Sequence, residues 1–288
     1  MSFTALAIVF IAAFMHATWN YAAKRAGGGL PFVWLSCVLG LAFYAPAVIF
    51  YWLWQHPVLP ISALLVMAGS GVIKTVYSLL LQRGYRSGDF SLIYPLARGT
   101  GPFFSTLAAI IFFGERPTVL ALVGGGIIVA SVFYLTGGTS LLHQSRAHLR
   151  NAMYFGLVTG LCIASYTVWD QRAVSHLHIP PLLYDCGTSL MMLGLLTPFA
   201  WPRREEVVRE WREHKWHAAI VGGLGAVGYV LILTAMSFTP VSYIAPAREI
   251  SIVIGAFFGA KFLKEAEASR RLLAAAGMTV GIIALALG

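Results

Sequence analysis

Charge is what this 288-residue sequence has least of: Asp, Glu, Lys and Arg make up only 11%, against about a quarter in soluble domains. Acid is scarcer still, with 11 Asp and Glu against 20 Lys and Arg, a formal net charge of +9. Cysteine is scarce too. Cys37, Cys162 and Cys186 all lie in apolar segments, without CxxC or Cys/His ligand spacing, which excludes a disulfide framework and gives no metal site. HExxH, GxSxG and a P-loop ending in GK[ST] are absent, so no catalytic constellation and no cofactor are expected. GSGVIK (69–74) lacks the strand and the ending that a phosphate loop needs.

What is present is apolar length. Hydrophobic residues make up 58% and mean hydropathy is +0.76. One long run after another reaches the roughly 20 residues that a helix needs to cross a hydrocarbon core of about 30 Å. Hydropathy and helix breakers predict ten spans: 3–23, 31–54, 60–82, 90–113, 117–137, 151–174, 181–201, 217–238, 241–262 and 269–287. The N-terminal run has no basic leader region and continues into Trp19 and Asn20, so it reads as a retained first span. An all-α integral membrane protein follows, with the bilayer rather than nucleic acid as the partner for its basic residues.

With the N-terminus placed outside, fifteen Lys and Arg fall in inward loops and two, Arg116 and Arg172, in outward ones. That asymmetry predicts both termini on the outer side. The longest polar stretch, RREEVVREWREHKWH (203–217), reads as a solvated connector or a short interfacial helix.

The chain repeats itself. A shift of 150 brings Trp19–Asn20 onto Trp169–Asp170 and Glu115 onto Glu265, and a shift of 151 brings Ser91 onto Ser242 and Pro95 onto Pro246. Two halves follow, 1–137 and 150–288, joined by a connecting loop at 138–149. Five spans per half is odd, so the second half enters the bilayer inverted, and equivalent loops carry opposite charge bias. Inverted repeats are the architecture of secondary transporters.

The landmarks HATWNYAAKR, SLIYPLARG, FFGE, SYIAPARE and FLKE, taken in order, resemble the EamA type of the drug/metabolite transporter superfamily, and within it bacterial exporters of amino acids and metabolites. The resemblance implies ten helices in two inverted five-helix repeats and export of small metabolites. The second half departs from the pattern at Asp170, where Asn is usual, and at Ala245, opposite Tyr94.

An ionisable side chain in hydrocarbon needs a partner or a wet cavity. The candidates are His16, Lys74, Arg98, Asp170, Arg248 and Glu249. Lys74, Arg98 and Arg248 against Asp170 and Glu249 give a mildly positive interior, the complement of a substrate carboxylate. Asp170 and Glu249 are the candidates for coupling. Pro95 and Pro246 interrupt the fourth and ninth spans, where a missing N–H bends a helix and frees a carbonyl. Cavity walls are expected from Trp19, Asn20, Tyr77, Tyr94, Tyr166, Trp169, Tyr229 and Tyr243. The reading is a monomeric secondary transporter in the inner membrane, exporting small carboxylate-bearing metabolites. An intramembrane enzyme or lipid-handling protein would need a nucleophile–base pair or metal ligands. A scaffold or sensor would not need charged residues in inverted repeats.

Overall fold

The computed structural model describes residues 1–26, 29–87, 90–135, 146–251, 254 and 268–288, with the side chains of 24, 81–96, 98, 99, 135, 146–152 and 268–272 outside the description. Among the described residues all regular structure is helical: α1 (Phe3–Ala26), α2 (Leu30–Gln55), α3 (Ile61–Ser87), α4 (Phe90–Phe113), α5 (Val119–Leu135), α6 (Arg146–Ser175), α7 (Pro181–Ala200), α8 (Arg204–Met236), α9 (Val241–Ala247) and α10 (Ala268–Leu287). The predicted spans fall on these helices, apart from much of 241–262. Glu265, the FLKE landmark and most of the connecting loop lie outside the described residues.

Helix surfaces are partitioned as lipid requires. Phe43, Phe50, Leu53, Leu65, Phe112 and Ile283 are exposed, while Ser70, Thr75, Thr159, Thr167, Asp170, Asp185 and Glu249 are buried. Water would drive those large apolar side chains inward, whereas hydrocarbon leaves them where they are and makes polar groups and small residues the packing material. The runs Phe3–Ala23, Leu30–Gln55 and Ile61–Leu80, and the run from Pro181 to Met236, are long and apolar enough to cross a bilayer.

The polar stretch 203–217 is helical, as a short interfacial helix would be, and a kink at His214 divides it from the apolar part of α8. A short 3-10 turn, Trp201–Arg203, leads into α8, which carries the stretch as its own first turns. Glu and Arg are good helix formers, and the backbone leaves helical values only at His214 (φ −128°, ψ 15°). The His214 ring packs back one turn, 2.9 Å from the Glu210 carboxylate. Trp201, Trp211 and Trp216 are exposed around this kink, as aromatic side chains are at a membrane surface.

Several of the helix contacts have a two-fold pattern. Replacing each helix by the one five later turns α1·α8 into α6·α3 and α2·α8 into α7·α3, and it returns α2·α7, α4·α9 and α5·α10 to themselves. The residues at the crossings obey the same exchange. At α2·α8 a Cβ on Gly222 would overlap Ser36 O and Gly40 N. Shifted by 151, Gly222 becomes Gly71 on α3, where a Cβ would lie 2.6 Å from Met191 Cβ on α7. Glycine is needed at both places because the helix backbones nearly touch.

The main buried apolar cluster ties both halves together at one end of the bundle. Val9, Ala63, Met67, Ala121, Val174, Ile179, Met236, Ile244 and Leu285 form it, with Met1 and Leu59 packed alongside. Met1 N donates to Ala286 O at 3.3 Å, so the first and last helices meet there. At the same end the Glu115 carboxylate, between α4 and α5, accepts from the Val241 and Ser242 amides at 2.9 Å each. It thereby satisfies two orphan donors at the start of α9.

Candidate functional site

Beneath this apolar end, α3, α6, α7 and α8 bring one polar cluster together. Asp170 is its centre. Its carboxylate is 0% exposed and five residues from the end of α6, about 8 Å by helix rise. Oδ2 lies 3.0 Å from Lys74 Nζ on α3 and accepts from the Tyr229 hydroxyl of α8. Oδ1 accepts from the Ser70 hydroxyl, one turn before Lys74, and from the Tyr184 hydroxyl of α7 at 2.7 Å. A carboxylate buried in a bundle requires this: a neutralising cation and donors for its lone pairs.

Tyrosines surround Lys74. Its ammonium is 4.3 Å from the centroid of Tyr229, 5.8 Å from that of Tyr166 and 5.9 Å from that of Tyr184, within the range of cation–π attraction. It also reaches Thr188 Oγ1 on α7, at 3.4 Å. Tyr166 stacks edge-on with Tyr77 at 5.8 Å and with Tyr229 at 6.4 Å, which extends the aromatic wall. The half-buried guanidinium of Arg248 lies 5.7 Å from the Tyr229 ring centroid. Arg248 reaches it because α9 ends at Ala247, one residue after Pro246, and a turn follows. Glu249, next in the chain, is 3% exposed. The backbone of α4, by contrast, is helical straight through Pro95. The side chains of Tyr94, Pro95 and Arg98 lie outside the described residues.

Other candidates stand apart from the cluster. Trp169 is 43% exposed and donates from its indole N–H to Val66 O at 2.8 Å, with its ring against Gly69. Neighbours on a helix point about 100° apart, so Trp169 packs on α3 away from the carboxylate of Asp170. On α1 the Asn20 amide donates to His16 O at 2.7 Å, and the His16 ring meets Trp19 edge-on. Tyr243 donates to Gly288 O at 3.4 Å, at the apolar end.

One residue enters that the sequence reading left out. Asp185, on the first turns of α7, is 5% exposed and lies within electrostatic reach of both Lys74 and Asp170. Among the described residues its Oδ2 has no hydrogen-bond partner, and the Tyr44 hydroxyl of α2 faces the carboxyl. An acid without a basic neighbour in a span was the available signal, but its place near the start of span seven reads as a span end. No group of His, Cys, Asp and Glu among the described residues is arranged to hold a metal ion.

With the geometry in hand, the comparisons with known proteins can be read. A solved structure titled "Crystal structure of protein" superposes with a TM-score of 0.76, covering 100% of this chain and 98% of its own at 16% identity; that likeness shows the fold. No curated protein matches the chain. The family model described as "EamA-like transporter family" matches twice, over residues 3–137 and 150–287. The chain therefore belongs to the EamA-like transporter family, within the drug/metabolite transporter superfamily, and is a membrane transporter of small molecules.

Proposed function

We propose that this transporter exports amino acids, or small relatives of them that carry a carboxylate, across the inner (plasma) membrane. Two five-helix repeats, 1–137 and 150–288, joined at 138–149, rock about a central cavity to give alternating access. The observation that carries the reading is Tyr229. Its ring lies against the Arg248 guanidinium and its hydroxyl binds Asp170, so one side chain joins a half-buried cation to a neutralised acid. Arg248 is the group for the substrate carboxylate, with Arg98 a second by its place in the sequence. The faces of Tyr77 and Tyr166 suit an ammonium.

Asp185 changes the charge balance. Lys74, Arg98 and Arg248 now stand against Asp170, Asp185 and Glu249. A balanced interior complements a zwitterion better than the net anion suggested by a mildly positive one. Fifteen inward Lys and Arg against two outward ones support placing both termini outside the cytoplasm, and the contact between Met1 and Ala286 supports a common side. A monomer suffices for the site, since one chain supplies all its groups.

The test is counterflow of radiolabelled amino acids and organic acids in proteoliposomes. At least one zwitterionic amino acid should exchange. Arg248→Gln should reduce exchange tenfold or more, the equivalent of about 1.4 kcal/mol, at an unchanged unfolding temperature. Folded protein that exchanges no member of the panel contradicts the reading.

A further inference from the structure

We propose that Asp185 is a proton-binding site, and that it takes up one proton in each transport cycle. Three buried ionisable groups share the α3–α6–α7 junction, two carboxylates and one ammonium. Asp170 is saturated: Lys74 neutralises it, and Ser70, Tyr184 and Tyr229 donate to it. Asp185 has a thinner shell: Tyr44 faces it from α2, and its Oδ2 has no hydrogen-bond partner among the described residues. With both acids ionised the junction keeps one uncompensated negative charge away from water, a state a bundle interior does not tolerate. A proton from the aqueous phase forms an O–H bond on Asp185, brings the junction from −1 to 0, and supplies a donor for the neighbouring Tyr44 oxygen.

The placement also couples the two acids. Lys74 Nζ reaches Thr188 Oγ1, and that hydroxyl donates to the backbone carbonyl of Asp185 at 2.9 Å. Asp185, whose carboxylate lies within electrostatic reach of Lys74, is therefore its alternative partner. When helix motion draws Lys74 from Asp170 towards Asp185, the proton is expelled; when Lys74 returns, a proton is taken up. The ionisable groups facing Asp185 are Cys37 and Tyr44 from α2, Lys74 from α3, Asp170 from α6, and Tyr184 and Cys186 from α7 itself. On α8 the nearby ionisable group is Tyr229, which is engaged by Asp170. Lys74 is thus the one cation that can exchange between the two acids among the described residues.

Proton binding does not depend on the identity of the substrate, whereas the transport cycle rests on the function proposed above. The experiment separates them. Infrared spectra of the reconstituted chain across pH should show the carbonyl stretch of a neutral carboxylic acid growing as pH falls. The band should move on 13C labelling of aspartate and not of glutamate, and vanish in Asp185→Asn. Asp170→Asn frees Lys74 and removes a like charge, so its band should titrate ~1–3 pH units lower. If Asp185→Asn does not fold, the isotope shift and the Asp170→Asn midpoint decide. An imposed proton gradient should drive uphill accumulation in the wild type and not in Asp185→Asn. A band that survives Asp185→Asn, follows glutamate labelling, responds to sodium instead of pH, or never appears overturns the proposal. So does gradient-driven accumulation in Asp185→Asn. A band that behaves as described without amino-acid exchange leaves the proton site standing and removes the substrate assignment.

Discussion

Asn20 and Asp170 occupy the same place in the two repeats, 150 residues apart, but live in different surroundings. Asn20 turns back on its own helix and bonds to His16. Asp170 reaches three other helices and binds Lys74, Ser70, Tyr184 and Tyr229. The counterpart of Lys74 at a shift of 151 is Gly225, and that of Asp185 is Trp34, whose indole bonds to Thr197. One crossing of the pseudo-symmetric pair is charged and the other neutral. Duplication supplied a symmetric frame, and the chemistry was then concentrated on one side of it. The buried ion pair therefore sits on the α3–α6–α7–α8 face.

The largest expected effect breaks this asymmetry at its centre. Asp170→Ala strands the buried Lys74 and three hydroxyls, and should cost about 3–5 kcal/mol of stability. Asn20→Ala removes bonds within a single helix and should cost ~1 kcal/mol or less. Thermal unfolding of both variants in nanodiscs measures the gap, and equal losses would mean that the two sides are equivalent after all. The next effect tests what the halves share. Gly71→Leu and Gly222→Leu each force a side chain into a helix crossing, and each should cost about 1–3 kcal/mol. Similar losses sustain the two-fold frame; a loss at only one of them would break it. Smaller again is Glu115→Gln, which weakens the charged cap on α9 by about 1 kcal/mol, read as a lower unfolding temperature.

Much of the frame was legible in the sequence because lipid imposes simple rules. Apolar length marked the helices, loop charge gave their expected orientation, and the spacing of Trp19–Asn20 against Trp169–Asp170 revealed the repeat. Lys74 and Asp170 stood out because ions in hydrocarbon are rare. Their pairing did not, since it joins α3 to α6 across a crossing that no local pattern encodes. Trp169 matches Trp19 by position, and its ring packs over Gly69 of α3, a contact that no local pattern encodes. Asp185 was missed because a carboxylate four residues into a span looks like the end of that span. The helix over the polar stretch was legible as a short interfacial helix, but its continuity with span eight across the His214 kink was not.

The central claim is that transport chemistry belongs to one side of a symmetric frame. Counterflow by Asp170→Asn and Asn20→Ala in the same proteoliposomes tests it most directly, with the amount of folded, inserted protein matched. The account predicts that the loss of exchange in Asp170→Asn exceeds that in Asn20→Ala by at least tenfold, about 1.4 kcal/mol. Equal loss in both variants, or a greater loss in Asn20→Ala, would contradict it.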